Sequence, residues 1–432
     1  IYNGKSRIRL KRKSLQMAKK ACEDWADILY NLSCSVQVDD AKSNEDLNKV
    51  LSSNDFWLKV NQGIEKSFAV GTGAFVLTIT GIKYNPDTDT AYVEEAEPSL
   101  EFVEAEKIYP LSWEDNKCTE CAFVSYRTIQ GKKYVILSVH ILDGENYVIK
   151  NKIFETRNNT DDIYELDSER EAELLGAFSE FRTNSPLRWF CLISPAVANN
   201  VLLPDNAAYD YPFGISIFAN AIDCIKSIDE TFDSLSNEIT IGRKRIFVAE
   251  SMCETVDGQS VFDATDISVY RLPTGLNPEN LLQPENSELR VEQIVSALNT
   301  DLSSFSNNVG MGKEMYKFDV ANMSTAAQVY STNSELKRKR DKHLTKLENE
   351  LYDILNALCY ASSAFSHYNI NSEGLTIKFD NSLFENIDTT SQRKLRESDA
   401  GVISRAEYRM EVFKEDEKQE TFKEIKSKSI RN

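Results

Sequence analysis

The chain has 432 residues, 41% hydrophobic and 27% charged, and a formal net charge of −18 from 68 acidic and 50 Lys or Arg side chains. That suits two or three domains that each bury a core, and it excludes a protein that coats nucleic acid, because phosphate binding needs a basic surface. The longest apolar uncharged stretch, residues 67–82, is too short to span a bilayer, so no membrane segment is expected.

Eight cysteines without regular spacing fit reduced thiols better than a disulfide framework. Cys118 and Cys121 form the one C-x-x-C, and no second ligand pair accompanies it, so no metal is expected. Charge is unevenly spread. Lys5, Arg7, Arg9, Lys11, Arg12, Lys13, Lys19 and Lys20 open the chain with no acid among them. Residues 87–106 hold eight acids and no base, and residues 161–173 hold seven acids and one Arg, each run expected to be a solvated face.

From Ser14 the spacing of Met17, Ala21, Trp25, Ile28, Leu29 and Leu32 predicts an amphipathic helix. A second helical stretch is expected from Glu45 through Leu58 to Phe68, then a strand over Phe75–Thr80 after Gly71 and Gly73. Residues 122–154 predict an antiparallel meander, with Gln130-Gly131 and Asp143-Gly144 as hairpin turns and Val135, Leu137, Val139 and Ile141 on one face of the middle strand.

After Pro212 long helices take over. Ile215, Phe218, Ile222, Ile225, Ile228, Phe232, Leu235 and Ile239 form an apolar stripe that ends at Gly242. Residues 246–286, broken by Pro273, Gly275, Pro278 and Pro284, predict short strands and turns. Ile294, Leu298, Leu302 and Phe305 mark a further helix, followed by a glycine-containing loop with Lys313 and Lys317. From Ser324 a helix of about 40 residues is expected, with heptad-like steps through Leu344, Leu347, Leu351, Ile354 and Leu358. A strand at "LTIKF" and a helical tail over residues 389–432 complete the chain.

Signals for catalysis are sparse. "NGKS" at residues 3–6 lacks the upstream glycine and strand of a P-loop, and Gly71-Thr72-Gly73 lacks the rest of a dinucleotide fingerprint. His140, His343 and His367 have no partner at metal-ligand spacing, and no G-x-S-x-G occurs. The expectation is therefore a non-enzyme without cofactor. A nuclease using the many carboxylates is the competing enzyme reading. The run Lys337, Arg338, Lys339, Arg340 and Lys342 is either a solvated helix face or a patch that meets the acidic surface of a neighbouring copy; head-to-tail contact of that kind closes into rings.

The succession of "SLQMAKKACEDWADILYN", "GTGAFVL", "VHILDGENYVIKNKIF", "FGISIFANAIDCIKSIDETFDSLSNEITIGRKRIFV", "STAAQVYSTNSELKRKRDKH" and "GVISRAEYRMEVF" resembles the portal proteins of tailed bacteriophages, over residues 14–413. The resemblance looks nearest to portals of siphophages infecting low-GC Gram-positive bacteria. It implies an α+β ring subunit. The mixed α/β wing would comprise residues 1–212 and 324–388, the paired stem helices 213–242 and 287–309, and the small β-containing clip 243–286. The tunnel loop would be 310–323 and the helical crown 389–432. It also implies a ring of about twelve copies at a capsid vertex, assembled in the host bacterial cytoplasm and carried in the virion. That ring would pass double-stranded DNA non-specifically and meet the terminase large subunit, a head-completion or adaptor protein, and the major capsid and scaffolding proteins, with no membrane partner. A ring scaffold that does not conduct DNA is the alternative.

On that resemblance, Asp223, Asp229, Glu230, Asp233, Glu292, Asp301, Lys313 and Lys317 are candidates for lining the channel. Lys337, Arg338, Lys339, Arg340 and Lys342, with the small residues Ser324, Ala327 and Ser331, are candidates for the subunit interface. Clip residues that bind partners stay unassigned within 243–286.

Overall fold

The computed structural model describes residues 12–85, 90–114, 117–129, 131–156, 163–167, 171, 179–197, 212–241, 245–249, 255–256, 259–260, 269–272, 282–285, 288–313, 315–318, 334–381 and 396. The fold is α+β. The chain divides into two units. The larger comprises Ala21–Ile217 and Ser324–Asn432, the smaller Ile1–Lys20 and Phe218–Met323.

The first helix, α1 (Met17–Leu29), starts one turn later than the apolar spacing predicts. Gln16 sits at φ 57°, in the left-handed region, and no helix continues through it. Met17, Ala21, Trp25, Ile28 and Leu29 are buried as expected, whereas Leu32 lies beyond the helix end and is 85% exposed. A short strand follows, β1 (Ser35–Gln37). The single helix expected from Glu45 to Phe68 is two, α2 (Ala41–Ser53) and α3 (Phe56–Val70). Asp40 caps α2 by accepting from the Ser43 amide at 2.8 Å. Between the helices Asp55 turns into the left-handed region at φ 50°. The buried Asn54 side chain donates to Pro98 O and accepts from Leu100 N, stitching this break to the sheet.

The acidic stretch expected as a solvated face belongs mostly to a long strand, along which Glu97 and Glu104 are exposed. β2 (Gly73–Asn85) pairs antiparallel with β3 (Thr90–Glu104). Leu100 and Val103 turn inward from β3, which is why acids elsewhere along it do not prevent a strand. A sheet of β4 (Ile108–Glu114), β5 (Lys117–Ile129), β6 (Lys132–Asp143) and β7 (Asn146–Thr156) follows, each antiparallel to the next. β8 (Ile163–Glu165) and β9 (Glu180–Arg182) share the outer edge of β7. The predicted meander is β5 to β7, and Gly131 and Gly144 take positive φ in its turns. In the register Asp143 faces Asn146, so the second turn is Gly144-Glu145 rather than Asp143-Gly144. On β6 the deepest positions are Tyr134, Val135 and His140, so both faces are partly covered, not only the face of Leu137 and Ile141.

β10 (Phe190–Ile193) pairs with β2, giving the order β10-β2-β3. Ala74, Val76, Val103, Ile108, Cys121, Phe123, Phe190 and Leu192 form a core that joins the two sheets.

In the smaller unit, α4 (Ile222–Ile241) follows a 3-10 turn at Ala219–Ala221, so Ile215 and Phe218 of the predicted stripe precede the helix. Short strands come next: β11 (Arg245–Ala249), β12 (Thr255–Val256), β13 (Gln259–Ser260), β14 (Val269–Leu272) and β15 (Leu282–Glu285). β11 lies between β14, parallel to it, and β15, antiparallel. Pro284 is tolerated because β15 is an edge strand. α5 (Val291–Asn308) then packs against α4.

Back in the larger unit, α6 (Ser334–Phe365) packs on β10, β2 and β3. The expected start of that helix near Ser324 lies outside the described residues, as does almost all of 389–432. β16 (Thr376–Lys378), the predicted "LTIKF" strand, pairs with β1 across most of the chain length.

Candidate functional site

The α4–α5 pair carries most of the sequence's channel candidates. Cys224 meets Asn308, Ser227 meets Asp301 and Glu238 meets Arg290, so the helices run antiparallel. Ile228, Leu235, Leu298, Leu302 and Phe305 are the buried seam. Asp301 accepts from Ser227 Oγ at 2.8 Å and Thr231 Oγ1 at 3.3 Å, which places it in the contact between the helices. Arg290 forks onto Glu238, with Nη2 to Oε2 at 2.9 Å and Nε to Oε1 at 3.1 Å. Asp223 and Glu292 are exposed in the first turns of their helices, where a carboxylate complements the helix dipole.

The remaining three acids are engaged by the chain's own N-terminal segment. Lys13 N donates to Asp233 Oδ1 at 3.1 Å and Leu15 N to Asp229 Oδ1 at 3.1 Å. Arg12 Nη1 reaches Glu230 Oε1 at 3.3 Å, and Lys13 Nζ donates to Ser236 Oγ. Asp229, Glu230 and Asp233 are thus a row of acceptors under a non-helical strap. Basic residues at the start of the chain were visible in the sequence; their seat 218 positions and more downstream was not.

After α5 the chain folds back instead of reaching away. Gly310 and Gly312, at φ 88° and 79°, turn it; Met311 N donates to Ser306 O, and Ser306 Oγ donates to Gly312 O. Ser303 Oγ donates to Lys313 O, and Phe318 N donates to Asn299 Oδ1 at 2.6 Å. Met311 and Tyr316 are buried against this turn, while the Lys313 and Lys317 side chains are exposed. Residues 319–323 of the predicted loop lie outside the described residues.

On α6 the basic run splits by register. Lys337, Arg338 and Lys342 are exposed and Lys339 is half-buried, but Arg340 is 2% exposed. Its guanidinium donates to Asp380 O at 2.6 Å, Asn381 Oδ1 at 2.9 Å and Ile28 O at 3.4 Å. Arg340 therefore holds its own subunit together, and its charge is not on the subunit surface. The reason is spacing: Leu336, Arg340, His343 and Leu347 continue the buried stripe of Leu351, Ile354 and Leu358 toward the helix start. Ser324, Ala327 and Ser331 lie outside the described residues.

His343 lies beside Trp25 and Phe68, ring centroids 4.7 and 5.3 Å away, and its Nδ1 accepts from Ala196 N at 2.9 Å. Burial, reinforced by Lys342, Lys346 and Lys339, pushes its pKa down to about 3. His140 is likewise fully buried, and desolvation brings it down to about 3. Both are neutral core residues. A polar cluster the sequence did not reveal ties α6 to the sheets. Arg188 donates to Cys118 O at 2.8 Å and to Asp353 Oδ2 at 2.5 Å, with Glu350 Oε2 at 3.9 Å. Burial raises the Glu350 carboxyl above its ordinary value, with Arg188 pulling against it. Cys118 and Cys121 are buried thiols in β5, and among the described residues no group of three or more His, Cys, Asp or Glu is arranged to hold a metal.

A family model described as "Phage portal protein, SPP1 Gp6-like" matches residues 2–432. No curated protein matches the chain. Among solved structures, a chain from the virion of a native gene transfer agent particle aligns over 91% of this chain and 88% of its own, at 11% identity and a TM-score of 0.35. That likeness is too distant to carry an argument.

Proposed function

The chain belongs to the phage portal family of the SPP1 Gp6-like type, and on that premise we propose that copies of it form a closed head-to-tail ring of about twelve at one vertex of the capsid. Its role is that of a portal, a connector built into the phage particle. In this reading the ring conducts DNA during packaging and ejection, and its outer parts dock the terminase motor and a head-completion protein. The chain itself is structural, and ATP hydrolysis belongs to the motor. The low-GC Gram-positive siphophage affiliation is part of the same proposal.

The observation that carries the reading is the family match across the whole chain. The smaller unit supports it: two antiparallel helices leave and return, with a small strand-rich insert between them. We assign these to stem and clip. Chemistry is consistent with passage rather than capture. A basic lining would release counterions and adhere to phosphate, whereas an acidic one repels a duplex over about one Debye length, roughly 8–10 Å. In that reading Asp223 and Glu292 are exposed carboxylates of the helix pair, and Lys313 and Lys317 are exposed cations of the turn that follows it.

Native mass of the purified chain, with negative-stain images of the same fraction, tests the proposal. A particle near twelve times 49.1 kDa, about 590 kDa, with an axial hole is expected. A compact dimer without a hole would sink it, and a closed ring too narrow for a duplex would favour the scaffold reading instead.

A further inference from the structure

The strap formed by Arg12, Lys13, Ser14 and Leu15 has two structures available to it. Seated, it is neither helix nor strand, and its Lys13 and Leu15 amides donate to the Asp233 and Asp229 carboxylates of α4. Seating forces Gln16 to φ 57°, a conformation that residues other than glycine rarely adopt. Yet local sequence favours something else. Ser14 is a good helix N-cap, Leu15 and Gln16 are good helix formers, and the apolar spacing of α1 extends back to this point. In the helical alternative the Ala18 amide donates to the Ser14 carbonyl, and Gln16 relaxes to ordinary helical geometry.

Seating is held by contacts that water can replace. Arg12 and Glu230 are 59% and 49% exposed at their side chains and the Lys13 amide contact is exposed, whereas Leu15 and Asp229 are half-buried. Exposed charge pairs of this kind weaken with salt. The two states also differ in what α4 presents. With the strap seated, three carboxylates within one helical turn are occupied, two by amides and one by a guanidinium. With it released, Asp229 and Glu230 lose these partners and Asp233 keeps only the Asn237 side-chain amide, at 3.2 Å.

We propose that residues 12–15 are a salt-sensitive strap that switches between a non-helical form seated on Asp229, Glu230 and Asp233 and a one-turn extension of α1, and so sets the charge that α4 exposes. The switch is a property of the single chain and holds whether or not copies form a ring.

Hydrogen exchange of the full chain, read at single-residue resolution in about 50 mM and about 500 mM NaCl, tests it, the higher salt shortening the screening length more than twofold. Expected at low salt is exchange at Lys13 and Leu15 at least about tenfold slower than in a free chain. High salt, or the pair Asp229→Ala and Asp233→Ala, should remove most of that protection while Ala18 gains it and the amides of α4 keep theirs. Gln16→Gly, which removes the cost of positive φ, should strengthen protection at Lys13 and Leu15. Free-chain exchange at both amides in the unaltered protein at low salt would overturn the seat. Protection unchanged by the Asp229 and Asp233 substitutions would overturn the role of the carboxylates, and loss of protection without gain at Ala18 would overturn the two-state exchange.

Discussion

Replacing Arg340 separates an intrachain role from a surface one. Its two short hydrogen bonds, to Asp380 O and Asn381 Oδ1, come from a charged donor and are each worth about 1.5–3 kcal/mol; the 3.4 Å contact to Ile28 O adds little. Desolvating the guanidinium opposes that gain, and Asp380 and Asn381 still reach water. Arg340→Met is therefore expected to cost about 2–4 kcal/mol. Arg340→Glu, which sets a buried carboxylate against the same acceptors, should cost more than about 4 kcal/mol. Arg338→Glu, two positions away on the exposed face, should change stability by less than about 0.5 kcal/mol. The assay is favourable because all four tryptophans, Trp25, Trp57, Trp113 and Trp189, belong to the larger unit, which also contains Arg340. Their fluorescence in urea follows that unit alone. With a slope of about 3 kcal/mol per molar, Arg340→Met should lower the midpoint by about 1 M. Equal midpoints for Arg340→Met and the unaltered chain, or equal losses for Arg338→Glu and Arg340→Glu, would refute the assignment.

Gly71→Ala should be far more costly than Gly131→Ala, though both sit at positive φ. A Cβ at Gly71 would meet Gly214 O at 2.7 Å, so strain and overpacking together should cost about 2–4 kcal/mol; at Gly131 nothing lies within 4 Å, leaving only the conformational term of about 1 kcal/mol. Urea midpoints of the two variants compare them. Acidification should destabilise the larger unit through its histidines. His140 and His343 are held down to about 3 when folded but return to about 6.5 when unfolded, so the unfolded chain takes up protons first. Their contribution is complete above pH 6.5 and is lost as pH falls toward 3, by up to about 1.4 kcal/mol per unit for each. Glu350, raised by burial, has the opposite sign and gains stability on acidification through its own pKa. His140→Phe, which keeps a ring between Phe123 and Phe190, should remove about half of the histidine slope in midpoints measured at pH 7, 6 and 5. In the Arg188 cluster, Arg188→Leu should cost about 3–5 kcal/mol by stranding the buried Glu350 and the half-buried Asp353, whereas Glu350→Gln, at an oxygen without a hydrogen-bond partner, should be neutral or stabilising in the same urea assay.

What the sequence by itself determined was local. Alternating β-branched residues and two glycines specified the β5–β7 meander, because the pleat has period two and a two-residue hairpin needs positive φ. The stripe through Leu347, Leu351, Ile354 and Leu358 specified the buried face of α6, but its expected continuation at Leu344 is only half-buried, and His343 and Arg340 take the interior positions instead. The succession of passages also pointed to the portal family, which the match over residues 2–432 established. Tertiary structure decided whatever depends on a distant partner. The acidic residues of β3 are strand because β2 and the core beneath hold them; α1 begins at Met17, and the residues before it donate to carboxylates more than two hundred positions away. Arg188 finds Asp353 165 positions on, and Arg340 finds Ile28 312 positions back. Periodicity records which side of an element is buried, but a polar or charged side chain has no preferred side until the fold supplies its hydrogen-bond partner.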